Sequence, residues 1–321
     1  MRLSKNKLIW LAKFFFSTIL LTLLIYKVDL VGFFSALKKV NIFYLSIALI
    51  TQFLNIFIRS LKWQILLKVH NIHFPLLTIQ NFNYMSIFFN NFFLGTLGGD
   101  IFRVYIISQN SLDIRNATSS IFIERLTGFI SAVFLVVLFG LFLFMNQNYF
   151  FKIRHVKLLI IIFCFLLFFI IIMLYLYFRY FQFKLKNKFD KIQSAVDLLV
   201  KSLMSYRRHN NILLLSLCYS MLFHILNGFS LFFLVKSTHT ITSISAMLFV
   251  SPLVSLIVMI PVSISGIGIQ EGSYFYYFQQ FGIESGNALA IAFLARSTLL
   301  IWGLVGGFIF FTKRNINSKS Q

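Results

Sequence analysis

Apolar runs near the length that crosses a bilayer recur along this chain, and they restrict its fold more than any other feature. A helix needs about 20 apolar residues to span the hydrocarbon core. Runs over 8–26, 42–58, 117–145, 156–178, 211–235 and 286–311 meet that requirement. They cannot all hide in one soluble core. Of the 321 residues 59% are hydrophobic and 12% charged, whereas globular domains sit near about 45–50% and 25%. The expected fold class is therefore all-α integral membrane, with 1–321 forming a single polytopic domain. The run 8–26 follows Arg2, Lys5 and Lys7, as a signal peptide would. It ends in Tyr26-Lys27-Val28-Asp29 with no small-residue cleavage site, so it reads as a retained signal anchor.

Two further stretches, 80–114 and 243–283, are apolar but broken by glycine and polar residues. The first carries Gly95, Gly98, Gly99, Asp100 and Arg103; the second carries Pro261, Gly266, Gly268 and Glu271. Loop charge decides how they thread. The 29 Lys+Arg against 8 Asp+Glu give a net charge of +21, and the densest basic segment is a connector at 179–210. Basic loops stay cytoplasmic, as should the two termini. All three basic regions fall on one side if each broken stretch is a re-entrant hairpin, the two entering from opposite faces. Lys38, Lys39, Lys152, Arg154 and Lys157 then lie outside, against the bias. Irregular backbone at membrane depth needs protein or a wet cavity around it. In both stretches a glycine precedes a carboxylate by five positions, Gly95 before Asp100 and Gly266 before Glu271. Opposed broken segments of this kind point to binding sites formed by inverted repeats.

Charge inside a membrane needs a partner, water or a function, because each such group costs at least about 2.5–3.5 kcal/mol at the bilayer centre. The residues concerned are Asp100, Arg103, Glu124, Glu271 and Arg296, with Arg59 and Arg125 near expected helix ends. Asp100 and Arg103 are three apart and share a helical face. Free amides at a helix start beside Gly99 suit an anion such as phosphate, or else Asp100 is itself the N-cap. Glu124 and Arg125 are adjacent and point about 100° apart, so at least one must reach another element. Arg296 shares a face with Ala288, Ala292, Gly303 and Gly307, the small-residue face that packs on neighbours. It points into the protein, either to pair with Glu271 or Glu124 or to hold a substrate phosphate.

Other signals carry less. Cys164 and Cys218 sit in apolar runs and read as small buried hydrophobes. His70 and His73 have no carboxylate to complete a metal site, and His224 reads as a helix-packing residue. Asn83, Asn90 and Asn91 either line a polar cavity or bond between helices. No nucleotide, metallohydrolase or serine-hydrolase motif is present, so no cofactor and no metal are expected. The basic charge lies between apolar runs and forms no separate domain, which argues against nucleic acid.

The charged landmarks, in order, resemble the flippase-like membrane domain of the lysylphosphatidylglycerol synthase transmembrane family. They are Arg59-Ser60-Leu61-Lys62-Trp63, Asn91 through Arg103, Glu124-Arg125-Leu126, Pro261 through Glu271, and Ala295-Arg296. Three positions depart from the family pattern: Leu94 stands where a proline is common, Gly266-Ile267-Gly268 replaces a glycine pair, and Asp100 stands where glutamate is frequent. The resemblance implies translocation or handling of a phospholipid or lipid-linked headgroup in a bacterial cytoplasmic membrane. The substrate-contacting candidates are then Arg103, Arg296, Glu271, Glu124, Asp100, Arg125 and Arg59. The full-length synthases carry a cytosolic aminoacyl-transferase domain; this chain stops at Gln321 and is not expected to make the lipid. A membrane-embedded enzyme of lipid or polyprenyl-glycan metabolism, or a non-catalytic partner of lipid enzymes, remain the alternatives.

Overall fold

The computed structural model describes residues 29–92, 98–111, 114–145, 205–206, 209–260, 263 and 265–318, with Thr18 and Thr22. Among the described residues the secondary structure is helical, with no strand. The helices are α1 (Leu30–Lys38), α2 (Ile42–Lys68), α3 (Leu76–Phe92), α4 (Gly98–Ser111), α5 (Ile114–Met145), α6 (Asn210–Ser237), α7 (Ile244–Val258), α8 (Ile269–Gln280) and α9 (Ser285–Ser318). Among the described residues four helices are long and apolar enough to cross a membrane: α2, α5, α6 and α9. The expected spans 42–58, 117–145, 211–235 and 286–311 fall within them. The expected spans 8–26 and 156–178 lie outside the described residues, as do most of the connector 179–210, Gly95 and Pro261.

Local chemistry sets several boundaries. Asn41 caps α2 by accepting from the Phe43 amide at 2.9 Å, and Ser243 caps α7 by accepting from Ala246 N at 3.2 Å; each takes an amide that has no helical carbonyl. The helix α2 runs ten residues beyond the expected end at Ile58, stopping before the left-handed Asn71 (φ 57°) and Pro75. Hydropathy falls at Arg59, but the helix does not, because its charges find partners on other helices. Each broken stretch is a pair of helices: α3 and α4 flank 93–97, and α7 and α8 flank 259–268. Three left-handed residues, Ser265, Gly266 and Gly268, turn the chain into α8.

Among the described residues the two largest apolar clusters hold most of the helices together. One joins α5 to α9 through Val133, Val136, Leu234, Val250, Phe278 and Ile291; the other joins α2 to α5 through Trp63, Leu67, Ile79, Phe102 and Ile121. The outward faces stay apolar: Phe134, Leu138, Leu141, Leu304 and Phe308 are all exposed. Lipid accounts for these apolar faces, since in water they would form an oversized patch. Cys218 corrects the expectation of burial. It is exposed on α6, near exposed Leu214, Leu215 and Leu222, so it is apolar surface and not core.

The order of elements repeats. Helices α4 and α8 begin 171 residues apart (98 and 269), and so do α5 and α9 (114 and 285); α2 and α6, and α3 and α7, match within three residues. The packing is exchanged between the halves, α3 lying on α9 as α7 lies on α5, while α2 packs extensively on its counterpart α6.

Candidate functional site

The repeat carries chemistry with it. Asp100 is the third residue of α4 and Glu271 the third of α8. Arg125 reaches Asp100 Oδ2 from α5, with Nε at 2.8 Å and Nη2 at 2.6 Å. Arg296 reaches Glu271 Oε1 from α9, with Nε at 2.5 Å. Each arginine lies 25 positions after its carboxylate.

The first half adds more charge to this pair. Arg103 donates Nη2 to Asp100 Oδ1 at 2.7 Å and Nη1 to Glu124 Oε2 at 2.5 Å. Arg59 donates Nε to Glu124 Oε1 at 3.0 Å. Lys62 donates to the Glu124 carbonyl at 2.7 Å. The Arg103 guanidinium also lies 4.7 Å from the centre of the Trp63 ring, which adds cation–π attraction, and Trp63 Nε1 donates to Ser120 Oγ at 3.2 Å. One turn of α2 thus brings Arg59, Lys62 and Trp63 to the same cluster. In the second half the positions 171 residues later hold Ser230, Phe233, Tyr274 and Ala295 in place of Arg59, Lys62, Arg103 and Glu124. That half keeps only the shared pair.

Several expectations sharpen here. Asp100 is not the N-cap of α4; it sits within the first turn and spends its carboxylate on two arginines. The Gly99 amide is not open to a ligand either, because Asn90 Oδ1 accepts from it at 2.7 Å. A β-carbon on Gly99 would come within 2.3 Å of the Ser86 carbonyl oxygen, so only glycine lets α4 lie this close to α3. Glu124 and Arg125 each reach across to other elements, as their divergent directions require. Both lie well inside α5, and Arg59 lies well inside α2, none of them near a helix end. Arg296 pairs with Glu271 and not Glu124, and its Nη1 donates to the Ser265 carbonyl at 3.2 Å. Glu271 Oε2 in turn accepts from the Gly268 amide at 2.8 Å. That bond ties the left-handed turn to α8; a residue with a side chain would adopt the Gly268 conformation (φ 82°) only with strain. Ala288 and Ala292 are fully buried, and Gly303 and Gly307 close on α3 side chains, so the small-residue face does point Arg296 inward.

Both charge clusters border one cavity of about 350 Å³. Arg59, Lys62, Glu124 and Arg125 of the first cluster line it together with Arg296, Ser265 and Gln270 of the second, and Asn90, Asn91, His224 and Asn227 add further polar groups. Asn90 and Asn91 therefore face the cavity and also bond between elements, Asn91 Nδ2 donating to the Leu299 carbonyl at 3.1 Å. Asn83 is buried and donates to Ser60 Oγ. His224 Nε2 lies 3.2 Å from the Gly128 carbonyl, joining α6 to α5. Arg103 is fully buried and does not line the cavity. Gly98 lies buried at the start of α4, and Gly266 lies beside Arg296 Nη2. Lys62, Gln270 and Tyr274 are cavity residues that the sequence reading left out. Lys62 was findable, three positions after Arg59 on one helical face.

The family described as the lysylphosphatidylglycerol synthase TM region matches residues 10–307, a stretch that contains every one of these charged landmarks. The chain belongs to that family. It is a membrane protein related to lipid handling. No curated protein and no solved structure matches it.

Proposed function

We propose that this chain carries the headgroup of a phospholipid or lipid-linked substrate between the two leaflets of a bacterial cytoplasmic membrane. The observation that supports the reading is the cavity itself: Arg59, Lys62, Glu124, Arg125 and Arg296 bring charge into a lining that also carries many apolar side chains, and its walls include α2, α5, α6 and α9, all of membrane-crossing length. A lipid headgroup needs a polar path through the bilayer, while its acyl chains can remain against the apolar exterior. In this reading the helix pairs α3–α4 and α7–α8 are re-entrant hairpins entering from opposite faces, and both termini are cytoplasmic. The two halves are then inverted repeats around a central site, an arrangement that serves alternating access in transporters. Arg59, Arg125, Glu124 and Arg296 contact substrate from the cavity wall, whereas Asp100 and Glu271 hold Arg125 and Arg296 in place and Arg103 ties Asp100 to Glu124.

The test is headgroup translocation in proteoliposomes, read as the fraction of tail-labelled fluorescent lipid protected from an impermeant quencher. Wild-type protein should expose inner-leaflet lipid faster than empty liposomes. Arg296→Ala and Glu271→Gln, each first verified as folded, should slow that exposure. Rates equal to empty liposomes for every headgroup tried would sink the reading.

A further inference from the structure

The cavity has an imbalance of charge with consequences for what it can hold. Four arginines, Arg59, Arg103, Arg125 and Arg296, share three carboxylates, Asp100, Glu124 and Glu271, and Lys62 adds a fifth basic group. Every carboxylate oxygen is already committed. Asp100 accepts from Arg103 and Arg125, Glu124 from Arg103 and Arg59, and Glu271 from Arg296 and the Gly268 amide. Among the described residues, a ligand ammonium entering the cavity would find one carboxylate on its walls, Glu124, already held by Arg59 and Arg103, against four basic groups, Arg59, Lys62, Arg125 and Arg296.

An anion meets the opposite situation. Arg296 is 8% exposed and gives Nε to Glu271 and Nη1 to Ser265, but its buried Nη2 has no partner. That nitrogen lies beside Gly266, 3.8 Å from where a β-carbon would stand, and Arg296 lines the cavity. Its repeat counterpart Arg125 differs, giving both Nε and Nη2 to Asp100. The same pair is thus built twice, and in the second half one edge of the guanidinium is left for something else. A buried N–H without an acceptor is costly, and a guanidinium edge matches an oxyanion in geometry and charge.

We propose that the cavity selects a lipid headgroup whose phosphate is its only charge, seats that phosphate on Arg296 Nη2, and rejects the same headgroup once an ammonium is added to it. This rests on the lipid-handling reading above and narrows it to anionic phospholipids over aminoacylated ones. Rejection comes from like charge with no free carboxylate to relieve it, a repulsive element of the kind that specificity often needs.

The experiment is equilibrium competition on the full chain purified in detergent, with acyl-labelled fluorescent phosphatidylglycerol as the bound probe. Competitors are unlabelled phosphatidylglycerol, lysylphosphatidylglycerol, diacylglycerol and glycerol 1-phosphate. Phosphatidylglycerol should compete at least about tenfold better than lysylphosphatidylglycerol and diacylglycerol, the scale set by one charge-assisted hydrogen bond. Arg296→Gln should remove most of that advantage. If Arg296→Gln does not fold, Arg296→Gln/Glu271→Gln removes the pair as a unit and keeps the excess of arginine over carboxylate. Loss of selectivity in the double variant then reports Nη2 itself, and unchanged selectivity overturns its role. Equal competition by both phospholipids, each better than diacylglycerol, overturns the charge selection and leaves lipid handling standing. Competition by glycerol 1-phosphate at the lipid's concentrations overturns the lipid source. No headgroup dependence at all overturns both this proposal and the functional reading.

Discussion

Arg296 Nε lies 2.5 Å from Glu271 Oε1, joining α9 to the first turn of α8 where both side chains are largely buried. A buried ion pair of this kind is weak evidence for net stability, but removing one partner strands the other charge. Such breaks cost about 3–5 kcal/mol, while removing the pair together costs far less. Arg296→Ala and Glu271→Gln should each lower the unfolding temperature in detergent by several degrees. The double variant should lie nearer wild type than the sum of the singles. Additive losses in thermal unfolding would mean that the two side chains do not stabilise one another.

Glu124 has a heavier structural task than Glu271, because its two carboxylate oxygens hold arginines from two different helices, Arg59 of α2 and Arg103 of α4. Glu124→Gln keeps the shape and removes the charge, leaving Arg59 unpaired and Arg103 with only Asp100. The loss should be at least as large as for Glu271→Gln, on the order of 3–5 kcal/mol. Glu124→Asp retains charge on a shorter arm and should recover part of it. Thermal unfolding of the three purified proteins orders them, and an unperturbed Glu124→Gln would refute the central placement of this carboxylate.

Much of this network was readable before the fold was known. The i,i+3 spacing of Asp100 and Arg103 gives their contact directly, and the small residues around Arg296 give its inward direction. The partners of Arg59 and Arg125 were not readable, because Glu124 lies 65 positions from Arg59 and Asp100 lies 25 from Arg125. Only the packing of α2, α4 and α5 brings those groups together. The end of α2 was misjudged for the same reason. Hydropathy counts Arg59 and Lys62 as charges in lipid, whereas the fold surrounds them with Glu124. The closed start of α4 was equally hidden, since two glycines before a carboxylate read as an open anion site until Asn90 is placed beside them.

The close approach of α3 and α4 makes a prediction that involves no charge. At Gly99 an added β-carbon would lie 2.3 Å from both the Ser86 carbonyl oxygen and its Oγ, so Gly99→Ala must push the helices apart. Overpacking of this kind costs about 1–3 kcal/mol. The atom met is a backbone oxygen that cannot rotate away, and the shift would also loosen the Asn90 bond to the Gly99 amide, so the loss should lie at the upper end, about 3 kcal/mol. Gly282 offers the contrast: nothing lies within 4 Å of its added carbon, and only its φ of +81° resists alanine. Gly282→Ala should therefore cost about 1–2 kcal/mol, from backbone strain alone. If Gly99→Ala proves as mild as Gly282→Ala in thermal unfolding, the two helices are less tightly apposed than described.

Exposed Cys218 on α6 tests which surface meets lipid. Its neighbours on the helix face include Leu214, Leu215 and Leu222, all exposed and apolar, and α6 is of membrane-crossing length. A side chain exposed to hydrocarbon is out of reach of charged aqueous reagents, and a thiol there has no water to stabilise its thiolate, the reactive form. In membranes, with Cys164→Ser to leave one thiol, Cys218 should react slowly with a charged, impermeant maleimide. An apolar alkylating reagent that partitions into the bilayer should modify it faster. Dissolving the membrane in chaotropic detergent should restore the reaction with the charged reagent. Prompt labelling of intact membranes by the impermeant maleimide would instead put this face of α6 against water, and the outward apolar surface would need another explanation than lipid.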